Sequence, residues 1–299
     1  MRIFLTGASG LIGGSIGATL VREGATVVGL IRDPAKADMV RHFGMTPVVG
    51  DLDDADLLRN QAGAVDAVIN AASSDHRGAA DALISALTGS GKPLIQTSGS
   101  SIVSDEANGE FSDRVFDEDS LPTPEPDKRA RVELDAAIVG LQGARGIVLC
   151  NTMVYGDAIG PKAHSVQLPR LIDEALESGT AHYIGRGQNV WSNVAIADVV
   201  SLYLLALREF PAGTFAFVEN GECAFRELAQ AIADAFDLAG PESMSIEDAV
   251  ARWGREPAVF ALGSNSRVRA RRARSLGWQP QESSPMAWIA ASGKKRAAS

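Results

Sequence analysis

The residues whose types and spacing could do chemistry begin at the N-terminus. There Thr6-Gly7-Ala8-Ser9-Gly10-Leu11-Ile12-Gly13 follows a short β-branched and apolar run, Arg2–Thr6, and leads into a helical stretch ending near Glu23. Glycine at positions 7 and 10 lets the backbone take turn conformations closed to other residues and lets a pyrophosphate reach main-chain N–H groups, while Gly13 lets helix and strand pack closely. Strand, glycines and helix in this order predict a dinucleotide cradle formed by Gly7, Ser9, Gly10, Leu11, Ile12 and Gly13, with the helix N-terminus facing the anion. An ordinary tight βα turn is the alternative.

A second signal lies at the end of the next apolar run. Gly29-Leu30-Ile31-Arg32 places Arg32 about twenty residues beyond the last cradle glycine, where an acidic residue would hold ribose hydroxyls. A guanidinium there favours a 2′-phosphate, because it can clamp phosphate through two parallel hydrogen bonds. NADP is therefore expected over NAD, although the adjacent Asp33 leaves room for a ribose contact. Of the four histidines, His76 follows the fourth strand and His164 lies in a loop after Tyr155; either could act as an acid near neutral pH. Cys150 and Cys223 are too few and too far apart for a disulfide framework or a zinc site, and no metal-ligand spacing or nucleophile elbow is present.

These residues must be positioned by an α/β scaffold. Strands are predicted at Ala25–Ile31, Thr46–Gly50, Val65–Ala71, Pro93–Ser98 and Gly146–Asn151, and helices at Pro34–Phe43, Asp53–Gln61, Arg77–Thr88 and Asp127–Leu141. The alternation implies a Rossmann-type doubly wound parallel sheet over residues 1–156, with its ligand at the carboxyl ends of the strands. Residues 157–292 are expected to form mainly a smaller C-terminal α/β lobe for substrate, with Trp191–Phe210 crossing back to the sheet and 293–299 a flexible tail. Asp198 is expected to cap the helix that runs through Arg208. The 299 residues, 45% hydrophobic, suffice for both parts without metals or disulfides. Arg2 leads directly into a core strand without a signal-peptide pattern, so a cytoplasmic protein with reduced thiols is expected. No apolar run reaches the about 18 residues of a membrane span. The net charge of −9 argues against a nucleic-acid surface, despite the basic stretch Arg267, Arg269, Arg271, Arg272 and Arg274.

The GxxGxxG spacing of the cradle resembles the opening of the extended and atypical short-chain dehydrogenase/reductases, the epimerase/dehydratase-like group. The later Val154-Tyr155-Gly156 and the turn, Trp strand and helix from Tyr183 to Val200 are similar to the same family. That resemblance implies that Asp51 and Leu52 lie against the adenine, that Asn70, Ala71 and Ala72 let the cofactor backbone pass, and that Thr97 stands beside the cofactor. From the residues alone, Asp51 could equally cap a helix and Ala71-Ala72 could be close packing. The resemblance further implies catalysis from a Ser or Thr after the fifth strand and a Tyr-x-x-x-Lys on the following helix.

The chain departs from that pattern. Gly99 falls where the catalytic Ser would stand, flanked by Ser98 and Ser100, and none of the three tyrosines is followed four residues later by Lys. Taking Glu133 as the acid that often follows the motif puts Arg129 at the Lys position and Glu125 at the Tyr position. The remaining candidates for catalysis are Ser98, Ser100, His76 and Tyr155, which end or follow strands on the side expected for the nicotinamide. Tyr155 could instead be a wall residue. The segment Asp105–Pro126, rich in acids and proline, could cover the cleft or be a solvated excursion.

The expected function is an NADP-dependent oxidoreductase acting on a small carbonyl or unsaturated substrate, as monomer or homodimer, with no nucleic-acid or membrane partner. Two alternatives stand beside it: a catalytically silent dinucleotide sensor that reports redox state, and a nucleotide-sugar epimerase or dehydratase.

Overall fold

The computed structural model describes residues 1–161, 164–282 and 284–297. Its main sheet contains seven parallel strands: β1 (Arg2–Thr6), β2 (Thr26–Ile31), β3 (Thr46–Val49), β4 (Ala67–Asn70), β5 (Pro93–Gly99), β6 (Arg145–Asn151) and β10 (Thr214–Val218), in the order β10-β6-β5-β4-β1-β2-β3. The strands with near-continuous apolar runs are buried on both faces, as central parallel strands must be; β1 is buried throughout after Arg2. Strand order reverses beside β1, which pairs β2 on one edge (Phe4 with Val28) and β4 on the other (Phe4 with Val68). A crevice must open there at the carboxyl ends.

Helices α1 (Leu11–Arg22), α2 (Ala37–His42), α3 (Ala55–Gly63), α4 (Arg77–Leu87) and α5 (Arg129–Val139) connect these strands. Small residues let α1 lie close to the sheet: a Cβ on Gly17 would come within 2.8 Å of Leu5, and one on Gly13 within 2.4 Å of the Gly7 carbonyl. The predicted helix from Asp127 begins as a short 3₁₀ turn, Pro126–Lys128, before α5. The buried Lys128 donates to Glu256 and lies over the Phe260 ring.

The smaller lobe contains α6 (Gln167–Ser178), α8 (Phe225–Phe236), α9 (Ile246–Trp253), the single turn α10 (Arg255–Pro257) and α12 (Met286–Ala297). Helices α6 and α8 pack on a two-stranded sheet, β8 (Thr180–Ile184) with β12 (Ala239–Met244), and a three-stranded sheet of β7 (Met153–Tyr155), β9 (Val190–Ala195) and β11 (Glu222–Ala224), while α12 packs on α8. The return to the main sheet extends further than expected. Helix α7 (Ile196–Glu209) packs on α1, β10 then adds the outer strand, with Thr214 opposite Ile147, and the short α11 (Arg271–Ser275) lies against β10.

Three expectations need correction. Gly293–Ala297 belongs to α12 and is not a free tail: Gly293 abuts the Ala235 carbonyl closely enough that a Cβ would come to 1.9 Å, and Lys295 bonds Asp157. Residues 298–299 lie outside the described residues. Asp198 does not cap α7, which starts at Ile196; its carboxylate accepts from the Gln281 and Glu282 amides at 2.8 and 3.0 Å and pins the C-terminal strap. The segment from Asp105 to Pro126 lines a separate small cavity and contributes no residue to the nucleotide cleft, and its acidic tip is not a solvated excursion. It bridges Phe116 to Val268, and its acidic tip engages the basic stretch: Asp117 pairs Arg271, Asp119 pairs Arg272, and Glu118 accepts from the Arg272 and Phe217 amides. Arg267 and Arg269 share Glu222, and Arg274 pairs with Glu219, so each of the five arginines has an acidic partner within the molecule.

Candidate functional site

At the switch point a cleft of about 500 Å³ is lined by Gly7, Ser9 and Gly10 on one side, Arg32 and Lys36 on another, and Asp51, Leu52, Ala71, Ala72 and His76 across from them. Gly7 has φ +71°, a left-handed conformation that favours glycine, and a Cβ there would come to 2.6 Å from the Ala71 carbonyl. Gly10 has an ordinary extended backbone, contrary to the expectation that its conformation demands glycine. Its Cβ would meet only the Gly7 carbonyl, at 3.3 Å. Gly10 also caps α1 without a side chain, which leaves the amides of Leu11, Ile12 and Gly13 available to an anion. A bare cap, an open face at Gly10 and a 500 Å³ cleft fit a pyrophosphate.

The opposite wall is held by a buried polar chain. The Thr6 hydroxyl donates to Asn70 Oδ1 at 2.5 Å and accepts from the Ala71 and Ala72 amides at 3.0 and 3.2 Å; Asn70 Nδ2 donates to Gln96 Oε1 at 2.7 Å. Asn70 is therefore fully buried and orients the Ala71-Ala72 turn without facing the cleft. Thr97 likewise accepts from the Tyr203 hydroxyl at 2.9 Å, which ties β5 to α7. On the rim, Asp33 accepts from the Ala35 amide and so caps the turn Pro34–Lys36. Among the described residues neither Arg32 nor Lys36 has an ion-pair partner. Lys36 escaped the sequence reading because its distance from Arg32 carries no motif; only the 3₁₀ turn returns it to the rim.

The four residues expected to do acid chemistry are not brought together. Tyr155 is fully buried and its hydroxyl donates to the Glu282 carbonyl at 3.2 Å; burial, with Glu282 and Asp198 nearby, raises its pKa above the ordinary phenol value. His76 caps α4, its Nδ1 accepting from the Ala79 amide at 3.0 Å, which leaves Nε2 to donate to Asp53 at 3.0 Å. Both ring nitrogens are committed, on the side of the cleft shared with Asp51. Ser100 is clasped by Ser266, whose hydroxyl donates to the Ser100 carbonyl at 2.8 Å and lies within hydrogen-bond distance of Ser100 Oγ at 2.9 Å. Ser98 donates to Asp135 Oδ2 at 2.6 Å, and burial pushes that carboxyl up to about 7 against the lowering effects of Ser98 and Arg131. His164 opens onto a separate groove of about 660 Å³ beside Arg170 and Trp253.

What stands at the end of β5 instead is Arg131, one turn before Asp135 on α5. Its Nε and Nη2 donate to the two Asp75 oxygens at 2.7 and 2.6 Å, and Nη1 donates to Ser101 Oγ at 2.7 Å. A Cβ on Gly99 would lie 3.4 Å from Nη1. Arg129, which the Glu133 register put at the Lys position, is exposed and reaches nothing there; Arg131 is the cation of α5 that faces the strand end. The sequence signal that could have found it is Asp135 in place of Glu133 as the acid four residues on.

The family pattern described as "NAD dependent epimerase/dehydratase family" matches residues 3–216, from within β1 to within β10, and so takes in the cradle and strands β2–β6. The chain belongs to this family. Its members' fold is the one seen here: a dTDP-glucose 4,6-dehydratase from Bacillus anthracis in complex with NAD superposes with a TM-score of 0.77 at 16% identity, over 100% of this chain and 97% of that one. Among sequence relatives, the oxidase ucsJ of Acremonium sp is 32% identical over 93% of this chain and 92% of its own. A 4-hydroxy-2-methyl-3-oxo-4-farnesyl-3,4-dihydroquinoline-1-oxide ketoreductase of Stigmatella aurantiaca is 24% identical over 74% and 69%. Membership of a family described as NAD dependent makes the chain an enzyme of the nicotinamide-dinucleotide-dependent oxidoreductase type. No helix among the described residues is long and apolar enough to cross a membrane, and no cluster of His, Cys, Asp and Glu among them is arranged to hold a metal ion.

Proposed function

We propose that this chain is an NADP-dependent reductase of a small carbonyl compound. The observation that carries the cofactor choice is the rim of the cleft, where Arg32 and Lys36 stand unpaired among the described residues on either side of Asp33, whose Oδ1 caps the turn between them. Two cations suit a 2′-phosphate, and a hydrogen bond to a charged group contributes about 1.5–3 kcal/mol. In the remainder of the site Gly7, Ser9, Gly10 and the amides of Leu11, Ile12 and Gly13 would hold the pyrophosphate. Asp51 and Leu52 would flank the adenine, and Ala71 and Ala72 would let the chain of the cofactor pass toward Thr97. When bound, the reduced nicotinamide supplies a hydride to the substrate. The names oxidase and ketoreductase among the relatives support redox chemistry on a carbonyl-bearing compound.

The test is NADPH consumption with a panel of cyclohexanone, acetophenone, 2,3-butanedione and phenanthrenequinone, together with calorimetry of NADPH and NADH. The unmutated protein should prefer NADPH by about tenfold or more, and Arg32→Asp should erase that preference by removing a clamp and adding a repelling charge. Equal affinity for the two cofactors refutes the assignment. A second reading draws on the commitment of Tyr155, His76, Ser98 and Ser100 to structural bonds: the chain binds the dinucleotide and reports its redox state without turnover. Tight NADPH binding with no hydride transfer to any compound in the panel selects it.

A further inference from the structure

A carbonyl reductase without the usual tyrosine needs another group to receive the charge that accumulates on the substrate oxygen. We propose that Arg131, locked by Asp75 and paired with the Ser101 hydroxyl, polarises the substrate carbonyl and stabilises its oxygen during reduction, and that the substrate is a neutral ketone or aldehyde. This rests on the reductase reading above.

Asp75 lies between Ser73 and His76, which line the nucleotide cleft, while Ser101 immediately precedes Ile102 and Val103, which line a small cavity of about 30 Å³ beneath the Asp105–Pro126 segment. The guanidinium joins Asp75, whose neighbours Ser73 and His76 line the cofactor cleft, to Ser101, whose neighbours Ile102 and Val103 line the second cavity. Gly99 keeps the strand end free, since any longer side chain there would occupy the space beside Nη1.

A guanidinium carries five N–H donors, and three are engaged here, two by Asp75 and one by Ser101. One N–H on each Nη remains without a partner among the described residues. The Arg131 side chain is only 12% exposed and its plane is fixed by the bidentate pair, so its donors need little reorganisation when charge develops. Asp75 already balances the cation. An oxygen that is neutral in the ground state and negative near the transition state is favoured over a substrate that arrives as an anion, because the paired charge offers little net attraction to the latter.

The step balances with the partners named. The substrate carbon receives a hydride from the reduced nicotinamide dinucleotide, and the carbonyl π pair moves onto oxygen. Arg131 N–H and Ser101 O–H donate to that oxygen, and water delivers the proton that completes the alcohol. Arg131 remains protonated throughout.

The experiment compares Arg131→Ala, Arg131→Lys and Ser101→Ala with the unmutated protein, using the panel member reduced fastest. Single-turnover hydride transfer should fall about 100-fold or more in Arg131→Ala and at least tenfold in Arg131→Lys, with NADPH affinity by calorimetry retained. Methylguanidinium added to Arg131→Ala should restore part of the rate, which a purely structural role would not allow. In the complex with NADP⁺, the infrared stretch of the ¹³C-labelled carbonyl should shift to lower frequency in the unmutated protein, and the shift should be lost in Arg131→Ala. Full rates in Arg131→Ala, or in Arg131→Lys should the alanine variant not fold, overturn the assignment of Arg131 and leave the reductase reading intact. Absence of hydride transfer in the unmutated protein overturns both.

Discussion

Replacing Asp135 with asparagine should flatten the dependence of stability on pH across the interval from the ordinary carboxylate range to neutrality. Asp135 is 3% exposed, its Oδ2 accepts from Ser98 at 2.6 Å, and its Oδ1 has no partner among the described residues. Burial raises its pKa from 3.8 to about 7; Asp75 adds to the rise, while Ser98 and Arg131 act against it. With a folded-state pKa above the unfolded value, the folded chain retains a proton that the unfolded chain releases. The resulting stability is fully present below about 3.8 and is lost as pH rises through about 7. Each pH unit in that window is worth about 1.4 kcal/mol, so the whole excursion approaches about 4 kcal/mol. The carboxamide of Asp135→Asn keeps the shape and the acceptor for Ser98 but cannot ionise. Urea denaturation from pH 5 to pH 8.5 should show the unmutated protein losing about 2–3 kcal/mol more than Asp135→Asn over that range. The other ionisable groups are common to both proteins, so the difference isolates Asp135. Parallel stability curves for the two proteins would refute the buried, protonated carboxyl.

Two further outcomes follow from the cleft itself. Gly10→Val should abolish NADPH binding by calorimetry with little change in melting temperature, because its Cβ meets only the Gly7 carbonyl at 3.3 Å, whereas Gly13→Val should lower stability as well, since its Cβ would come to 2.4 Å from that same carbonyl. Thr6→Val should cost about 1–3 kcal/mol in urea denaturation and weaken nucleotide binding, because it strips the Ala71 and Ala72 amides of their acceptor and leaves Asn70 Oδ1 without its donor; unchanged stability would mean that the chain Thr6–Asn70–Gln96 does not hold the wall.

By itself the sequence determined the scaffold and the glycine turn at one end of the cleft. Apolar runs of four to seven residues separated by amphipathic stretches are local signals, and they located β1 to β6 within a residue or two of their observed ends. The cradle was equally legible, because a turn at φ +71° and a helix packed 2.4 Å from a would-be Cβ are demands that only glycine meets at Gly7 and Gly13. Tertiary structure alone decided which side chains are free to act. The partner that immobilises Tyr155 lies 127 residues away, the one that engages Ser98 lies 37 away, and the acids that neutralise the arginines of 267–274 come from 117–119 and 219–222. Such pairs leave no periodicity in the chain. Arg131 was hidden for the same reason: its reach to Asp75, 56 residues back, depends on where α5 starts and which face it turns to β5, and helix phase is set by packing against the sheet.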